Sequence, residues 1–285
     1  MSKSLDTAFI TIFDNEVKQA YQGMGMSLRA AVKTKSTKGS TVRFQNIGRG
    51  TATVRVTQSD VTVMNLAHTV VSATMVDYTA AEYTDIFDQE KVNFEEREPI
   101  VLAIAGAIGR RDDQIVLDAW DAASTTLTVA KTVGANNAAD GTKIRRAKRL
   151  LDDQGVPKSD RFFVHSPQFL EQLLGNTAAT SIDFNNVRLL LDGEIDTWLG
   201  FKWIMIEDRS SNEGGLPIAG NDRTNYAVHK SACGLGLNLD KKVEINYVPE
   251  KTSWLVNGLY SAGAVAIDAL GIVEIVVDES VVINN

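Results

Sequence analysis

An α+β fold follows from three features of this 285-residue chain. Thr41 to Val76 is rich in Val and Thr and reads as an extended ribbon carrying Arg43, Arg49 and Arg55. An acid-rich segment comes next (Asp77, Glu82, Asp85, Asp88, Glu90, Glu95, Glu96, Glu98) and runs into a long amphipathic helix. Beyond residue 140, helical and strand periodicities alternate. A ribbon of one charge sign beside a helix of the other suits a protein that binds copies of itself.

Bulk composition sets the limits. With 44% hydrophobic and 23% charged residues, the chain can bury a core in one large or two modest domains. A net charge of -7 and a pI near 5.1 argue against a nucleic-acid-binding protein as a whole, while leaving room for local basic patches. The single cysteine, Cys233, excludes an internal disulfide and fits folding in a reducing cytoplasm. No run is apolar enough to span a membrane.

The elements follow in order. Phe9, Ile12, Phe13 and Val17 recur at helical spacing and predict an amphipathic N-terminal helix, which Gly23 and Gly25 kink or end. Arg29 to Gly39 is basic and small and reads as a flexible arm. Thr41–Phe44 and Thr53–Val56 are strand-like around a turn at Asn46–Gly50, and His68 to Tyr78 is a third extended run. This ribbon has too few large apolar residues to form a core alone, so it must lie on something. Pro99 sits in the first turn of the next helix, with Glu95, Glu96 and Glu98 near its positive end. Ile100, Ile104, Ile108 and Ile115 mark its buried face. Unbroken from Pro99 to Ala123, it would be about 37 Å long. Gly106 and Gly109 weaken it locally or allow close packing. Ser124 to Asp140 reads as a boundary loop. Asp140 can cap a helix that runs to Gln154 and stops at Gly155 and Pro157. Arg161–His165 is a short strand, and Ser166-Pro167 opens a helix that ends near Gly175. Strands follow at Trp198–Glu207, Tyr226–His229, Val243–Val248, Trp254–Tyr260 and Ile272–Val277, with a Gly/Asn-rich mobile loop over Ser210 to Asn225.

Catalytic chemistry is sparsely provided. His68, His165 and His229 lie in no metal-binding pattern, so no metal and no cofactor are expected. Cys233 follows His229 by four residues, a superficial nucleophile and base. Its small apolar neighbours read as packing instead. The acids from Asp85 to Glu98 lack calcium-loop spacing and read as a solvated or interface surface. Lys143, Arg145, Arg146, Lys148 and Arg149 form a basic helix that could touch nucleic acid or an acidic partner, but they surround apolar positions with no interleaved aromatics for base stacking and read as a solvated face.

The order of these elements resembles the major capsid proteins of tailed bacteriophages, which have the Hong Kong 97 type fold shared in outline with encapsulin shells. Glu98-Pro99 opening a helix through Arg110-Arg111-Asp112-Asp113-Gln114 resembles that family's spine helix. Leu199-Gly200-Phe201-Lys202-Trp203 and Ala227-Val228-His229-Lys230-Ser231-Ala232 resemble two of its strands. The resemblance implies an N-terminal arm over 1–39 and an extended loop over 40–76. It implies a peripheral domain over 77–132 and 241–270, and an axial domain over 133–240 and 271–285. Ser210 to Asn225 would then be a loop at the centre of a ring.

The function implied is that of a structural shell subunit rather than an enzyme. It would assemble into pentamers and hexamers of an icosahedral virion shell around double-stranded DNA, within the host cytoplasm. The acidic net charge suits a wall that must not bind packaged DNA tightly. The implied partners are other copies of the chain, a portal protein, an optional decoration protein and, because only a short arm precedes the extended loop, a separate scaffolding protein. DNA would be enclosed without sequence-specific binding, and no membrane is involved. Alternatives are an encapsulin-like compartment shell and, less favoured, a hydrolase using His229 and Cys233 or His165. The expected inter-subunit contact lays Arg43, Arg49 and Arg55 of one subunit across Glu90, Glu95, Glu96 and Glu98 of the next. The expected arm contact docks Phe9, Ile12, Phe13 and Val17 under a neighbour or on the scaffold, with packing on the subunit's own core as the alternative. Some shells of this fold join a loop lysine to a neighbour's asparagine. Residues 39 to 90 hold no lysine here, so noncovalent contacts are expected.

Overall fold

The computed structural model describes residues 23–87, 97–123, 127–134, 136–175, 197–210 and 212–282. Two sheets share one long helix. Strands β1 (Lys33–Ser36), β2 (Thr41–Ile47), β3 (His68–Thr74) and β4 (Val76–Asp85) precede helix α1 (Arg97–Asp121). Strand β5 (Thr128–Val129), helix α2 (Gly141–Asp153), strand β6 (Arg161–His165) and helix α3 (Pro167–Leu174) follow. The chain closes with β7 (Thr197–Trp198), β8 (Phe201–Met205), β9 (Ile218–Ala219), β10 (Asp222–His229), β11 (Cys233–Val248), β12 (Ser253–Ala266) and β13 (Ile272–Asp278).

The first sheet has the order β1-β11-β12-β4, with β1 parallel to β11 and the other pairs antiparallel. The second has the order β5-β13-β10-β6-β8-β7, with β9 added beside the start of β10. The expected division between residues 240 and 241 therefore falls inside β11, one continuous strand of 16 residues. Strand β13 pairs with β10 in the second sheet.

Alternation within the second sheet explains how it is buried on both faces. Phe162, Val164, Tyr226, Val228 and Ile272 point into the core around α1. Phe163, Ala227, Val273, Ile275 and Val277 point the other way, against α2 and α3. Side chains one apart on a strand face opposite sides, so a run buried throughout, such as Arg161–His165, requires a layer on each side. Helix α1 supplies one layer through Ile115, Val116, Leu117 and Trp120, while its first half covers the four-stranded sheet through Ile104 and Ile108. At 25 residues it is about 37 Å long, enough to bridge both sheets.

Several expectations change. Helix α1 starts and stops two residues earlier than the pattern indicates, an ordinary end shift. Asp140 takes the N-cap position of α2 but makes no side-chain capping hydrogen bond, whereas Ser166 caps α3 by accepting from the Phe169 N–H. Thr53–Val56 is not a strand; the partner of Thr41–Ile47 is His68–Thr74. The expected extended run His68 to Tyr78 divides into β3 and β4, and β4 carries the first part of the acid-rich segment as far as Asp85. The arm reading of Arg29 to Gly39 also fails. Leu28, Ala31 and Val32 are fully buried, and β1 completes the first sheet. Lysine-rich composition misled here because an edge strand can expose all its side chains while its backbone is paired. The loop expected over Ser210 to Asn225 gives way to β10 at Asp222, and its Gly214–Leu216 part is held in place: the Gly214 N–H donates to the Gln114 side chain at 2.9 Å, and Leu216 is buried.

Candidate assembly surfaces

Two structures on this subunit matter for contact with others: a ribbon that projects from the first sheet, and a polar knot on α1 that fixes the chain leading into it. The ribbon is built from β2 and β3, which pair antiparallel from Thr41–Thr74 out to Ile47–His68. Its base has a small core of its own. Val42, Phe44 and Ala73 are buried against Met75, Val265 and Ile267. Gly234 and Gly236 make room for it, since a Cβ at Gly234 would lie 2.6 Å from the Phe44 ring and one at Gly236 2.8 Å from Val42. The ribbon thus lies on its own first sheet at the base. Beyond Ile47 the ribbon is mostly exposed, apart from the Gly48 N–H bond to the Ala67 carbonyl and the Arg49 contact to Gln154. Val54 is 95% and Val56 68% exposed, and Val61 and Val63 are exposed with them. Water-facing valines over such a stretch are unusual for a surface with no partner.

The knot lies at the middle of α1. Asp112 and Asp113 are both fully buried. Asp113 accepts from the Leu28 N–H at 3.0 Å, the Ser27 hydroxyl at 3.1 Å and Arg209 at 3.4 Å. Asp112 accepts from Arg29 Nε at 2.8 Å and from the Tyr260 hydroxyl. Arg29 also reaches Asp240 at 2.8 Å. Adjacent buried carboxylates are tolerated only when cations and donors satisfy them, and removing one partner of such a pair costs about 3–5 kcal/mol. Burial raises the Asp113 carboxyl above its ordinary range, against the donors around it. Burial alone would lower the Arg29 guanidinium, but its bonds to Asp240 and Asp112 outweigh that and raise it. The same bond from Arg29 lowers the Asp240 carboxyl. Alongside, the Met26 N–H donates to the Gly109 carbonyl at 3.1 Å. A Cβ at Gly109 would lie 1.9 Å from the Met24 carbonyl oxygen, so the close-packing role of this glycine is the one realised. In the sequence Arg110–Gln114 stands out only through its resemblance to the spine helix. The signal available was a pair of acids in the middle of an apolar helix, which needs cations brought from elsewhere.

The expected contact residues fall as follows. Arg43 is exposed on β2 and its carbonyl accepts from Lys35 Nζ at 3.4 Å. Arg49 donates to the Gln154 carbonyl of its own chain. Arg55 is exposed near the ribbon tip. Glu98 is exposed in the first turn of α1. Glu90, Glu95 and Glu96 lie outside the described residues, as do Phe9, Ile12, Phe13 and Val17. Of the basic helix, Arg145, Arg146 and Arg149 are exposed. Lys143 is fully buried instead, with Nζ donating to the Asn136 and Ala138 carbonyls at 2.9 and 2.7 Å, and burial lowers its pKa.

The candidate nucleophile is poorly placed for chemistry. Cys233 is 1% exposed, and burial pushes its thiol up to about 12, so it is protonated at neutral pH. His229 Nδ1 is bonded to the Ser231 hydroxyl at 2.7 Å. His165 is buried among Phe163, Phe169 and Trp203, and burial lowers it to about 4. Among the described residues no group of His, Cys, Asp and Glu could hold a metal ion, and no helix is long and apolar enough to cross a membrane.

Residues 5–279 match the family model for phage capsid protein. No curated protein sequence matches. Among solved structures, the chain is similar to the capsid of cyanophage P-SCSP1u at 15% identity, covering 96% of this chain and 94% of that one with a TM-score of 0.77. It is similar to a structure from Mycobacterium phage Che8 at 17% identity, covering 94% and 97% with a TM-score of 0.71. It is also similar to the head of Helicobacter pylori bacteriophage KHP40 at 11% identity, covering 98% of both chains with a TM-score of 0.72. At these identities the structural likeness speaks for the fold.

Proposed function

Because this chain belongs to the phage capsid protein family and carries the Hong Kong 97 type capsid fold, we propose a specific way in which it builds the major capsid shell. The subunit forms pentamers and hexamers that close into an icosahedral shell around double-stranded DNA. In each ring the ribbon of one subunit crosses the acidic start of its neighbour's spine helix, bringing Arg43, Arg49 and Arg55 towards Glu90, Glu95, Glu96 and Glu98. The Arg49 contact to Gln154 within its own chain leaves Arg43 and Arg55 as the more available of the three. The apolar stripe of Phe9, Ile12, Phe13 and Val17 docks on a neighbouring subunit or on a scaffolding protein. The first sheet with α1 serves as the peripheral domain and the second sheet with α2 and α3 as the axial domain. A separate scaffolding protein, a portal protein and, optionally, a decoration protein are the further partners, and assembly takes place in the host cytoplasm.

One observation carries this reading: a ribbon anchored firmly at its base exposes Val54, Val56, Val61 and Val63 at its far end. A protein acting as an isolated subunit gains nothing from such a surface, whereas a repeating assembly buries it once per copy. Exposed ion pairs contribute only about 0–1 kcal/mol each, so apolar burial supplies the affinity and the charges set the register. Electron microscopy of the purified protein is the test. Hollow shells or rings of uniform size are expected. A population that stays monomeric at high concentration, with scaffolding protein supplied, would refute it.

A further inference from the structure

Arg223, on β10, holds two segments at once. Its side chain is 5% exposed and pairs through Nε with Glu279 at 2.8 Å and through Nη2 with Asp208 at 2.7 Å. Glu279 belongs to the segment that follows β13, and Asp208 to the one that follows β8. A buried guanidinium deprived of one carboxylate must draw more on the other, because an unpaired buried charge is strongly disfavoured.

Polar contacts seat the segment after β13. The Glu279 carboxylate accepts from the Ser166 hydroxyl at 2.7 Å, and the Glu279 N–H donates to the Asn221 carbonyl at 2.9 Å. The Gln172 side-chain amide donates to the Asp278 and Val281 carbonyls, both at 2.9 Å. Val282 beside them is 75% exposed. Segments held by surface polar groups with little apolar burial open locally, without global unfolding.

Asp208 is followed by Arg209, which turns to a different partner. The Arg209 side chain is 8% exposed and reaches Asp113 at 3.4 Å, a long contact. It also bonds Glu207, and its Nε is buried without a hydrogen-bond partner among the described residues. Asp113 in turn accepts the Leu28 N–H at 3.0 Å and the Ser27 hydroxyl at 3.1 Å. Packing is close throughout: a Cβ at Gly214 would lie 2.5 Å from the Arg110 carbonyl oxygen, and one at Gly23 would collide with the Glu207 carboxylate. A contiguous polar path therefore runs from Glu279 through Arg223, Asp208-Arg209 and Asp113 to the backbone of Leu28.

We propose that this path is a latch: the seating of Glu279 on Arg223 sets how firmly residues 23–29 are held on α1. With Glu279 seated, Arg223 shares its charge between two carboxylates, and Asp208 lies outward, at 78% exposed, leaving Arg209 within reach of Asp113. With Glu279 withdrawn, Arg223 draws Asp208 inward. The move carries Arg209, the next residue, off a contact that is already long. Asp113 then keeps the buried Asp112 beside it with one cation fewer, and its bond to the Leu28 N–H opens. The latch works inside one subunit and stands apart from how subunits assemble. Its consequence is that lifting residues 279–282 frees the segment that leads into β1.

Hydrogen exchange on the unassembled chain tests the latch. Glu279→Gln removes the charge and keeps the shape of the side chain. Exchange at the Leu28 N–H should quicken at least ~5-fold, with the β2 and β3 amides unchanged. Quickening at Glu279 and Phe169 with Leu28 unchanged would show a local loss only and overturn the latch. Equal quickening at Leu28 and throughout β2 and β3 would show general loosening and overturn it as well. Asp208→Asn removes the link through which Arg223 pulls, so adding Glu279→Gln to it should leave Leu28 exchange where Asp208→Asn alone puts it. The same quickening in both backgrounds would overturn the path through Asp208. Where Glu279→Gln fails to fold, Glu279→Asp decides: its shorter side chain draws the carboxylate back from Arg223, so Leu28 should quicken, and an unchanged rate there would overturn the proposal.

Discussion

Replacing Gly109 by alanine sets two opposing effects against each other. In the interior of an exposed helix, glycine to alanine stabilises by about 1 kcal/mol, because alanine loses less backbone freedom on folding. At Gly109 the new methyl group would sit 1.9 Å from the Met24 carbonyl oxygen and 3.4 Å from the Gly25 Cα. Both obstacles are backbone, which cannot swing aside as a side chain would. Relief requires residues 24–26 to lift off α1, with loss of the bond from the Met26 N–H to the Gly109 carbonyl, worth about 1 kcal/mol. It also strains the adjoining packing of Leu28, which is fully buried, for an overpacking cost of about 1–3 kcal/mol. Subtracting the helix gain leaves a net destabilisation of about 1–3 kcal/mol. For a chain of this size that lowers Tm by about 2–4 °C per kcal/mol. Calorimetry of the unassembled subunit reads the sign, and hydrogen exchange at Met26 and Leu28 reads the location. A rise in Tm, with unchanged exchange at both amides, would show that the 23–29 segment is not held against the helix as described.

Three further outcomes are expected. His165 is nearly fully buried and lowered from 6.5 to about 4, so the folded chain keeps the ring neutral while the unfolded chain takes up a proton below about 6.5. Stability is then full above pH 6.5 and falls by about 3 kcal/mol as pH drops through 4, at ~1.4 kcal/mol per unit; His165→Phe should flatten that part of a urea-stability profile by one proton, and an identical slope would count against it. Phe44→Ala removes the largest side chain under the ribbon base and should cost the ribbon about 3 kcal/mol of local stability, seen as faster exchange in β2 and β3 with little change in α1; equal loss in both would mean the ribbon and core unfold as one unit. Mature particles boiled in detergent and reductant should run as a single band at 31.0 kDa, since residues 39–90 contain no lysine; a ladder of linked subunits would show covalent joining by another route.

Local periodicity determined much of this protein. The 25-residue helix, the stop at Gly155, the Ser166-Pro167 helix start and the strand at Arg161–His165 are written in spacing and capping chemistry, which act over a few residues. The projecting ribbon was legible as a composition too poor in large apolar residues to stand alone. What neighbouring chain could not reveal was pairing at long range. Thr41–Ile47 chose His68–Thr74 over Thr53–Val56, because strand composition states a capacity to pair and not the partner. Lys33–Ser36 reads as a flexible arm because it lacks apolar periodicity, yet its backbone completes a sheet with residues about 200 positions away. The buried acids at Asp112 and Asp113 were visible, but the cations that make them tolerable come from Arg29 and Arg209, on either side of them in sequence. Only the tertiary structure brings those charges together, since electrostatic pairing depends on distance in space and leaves no period in the chain.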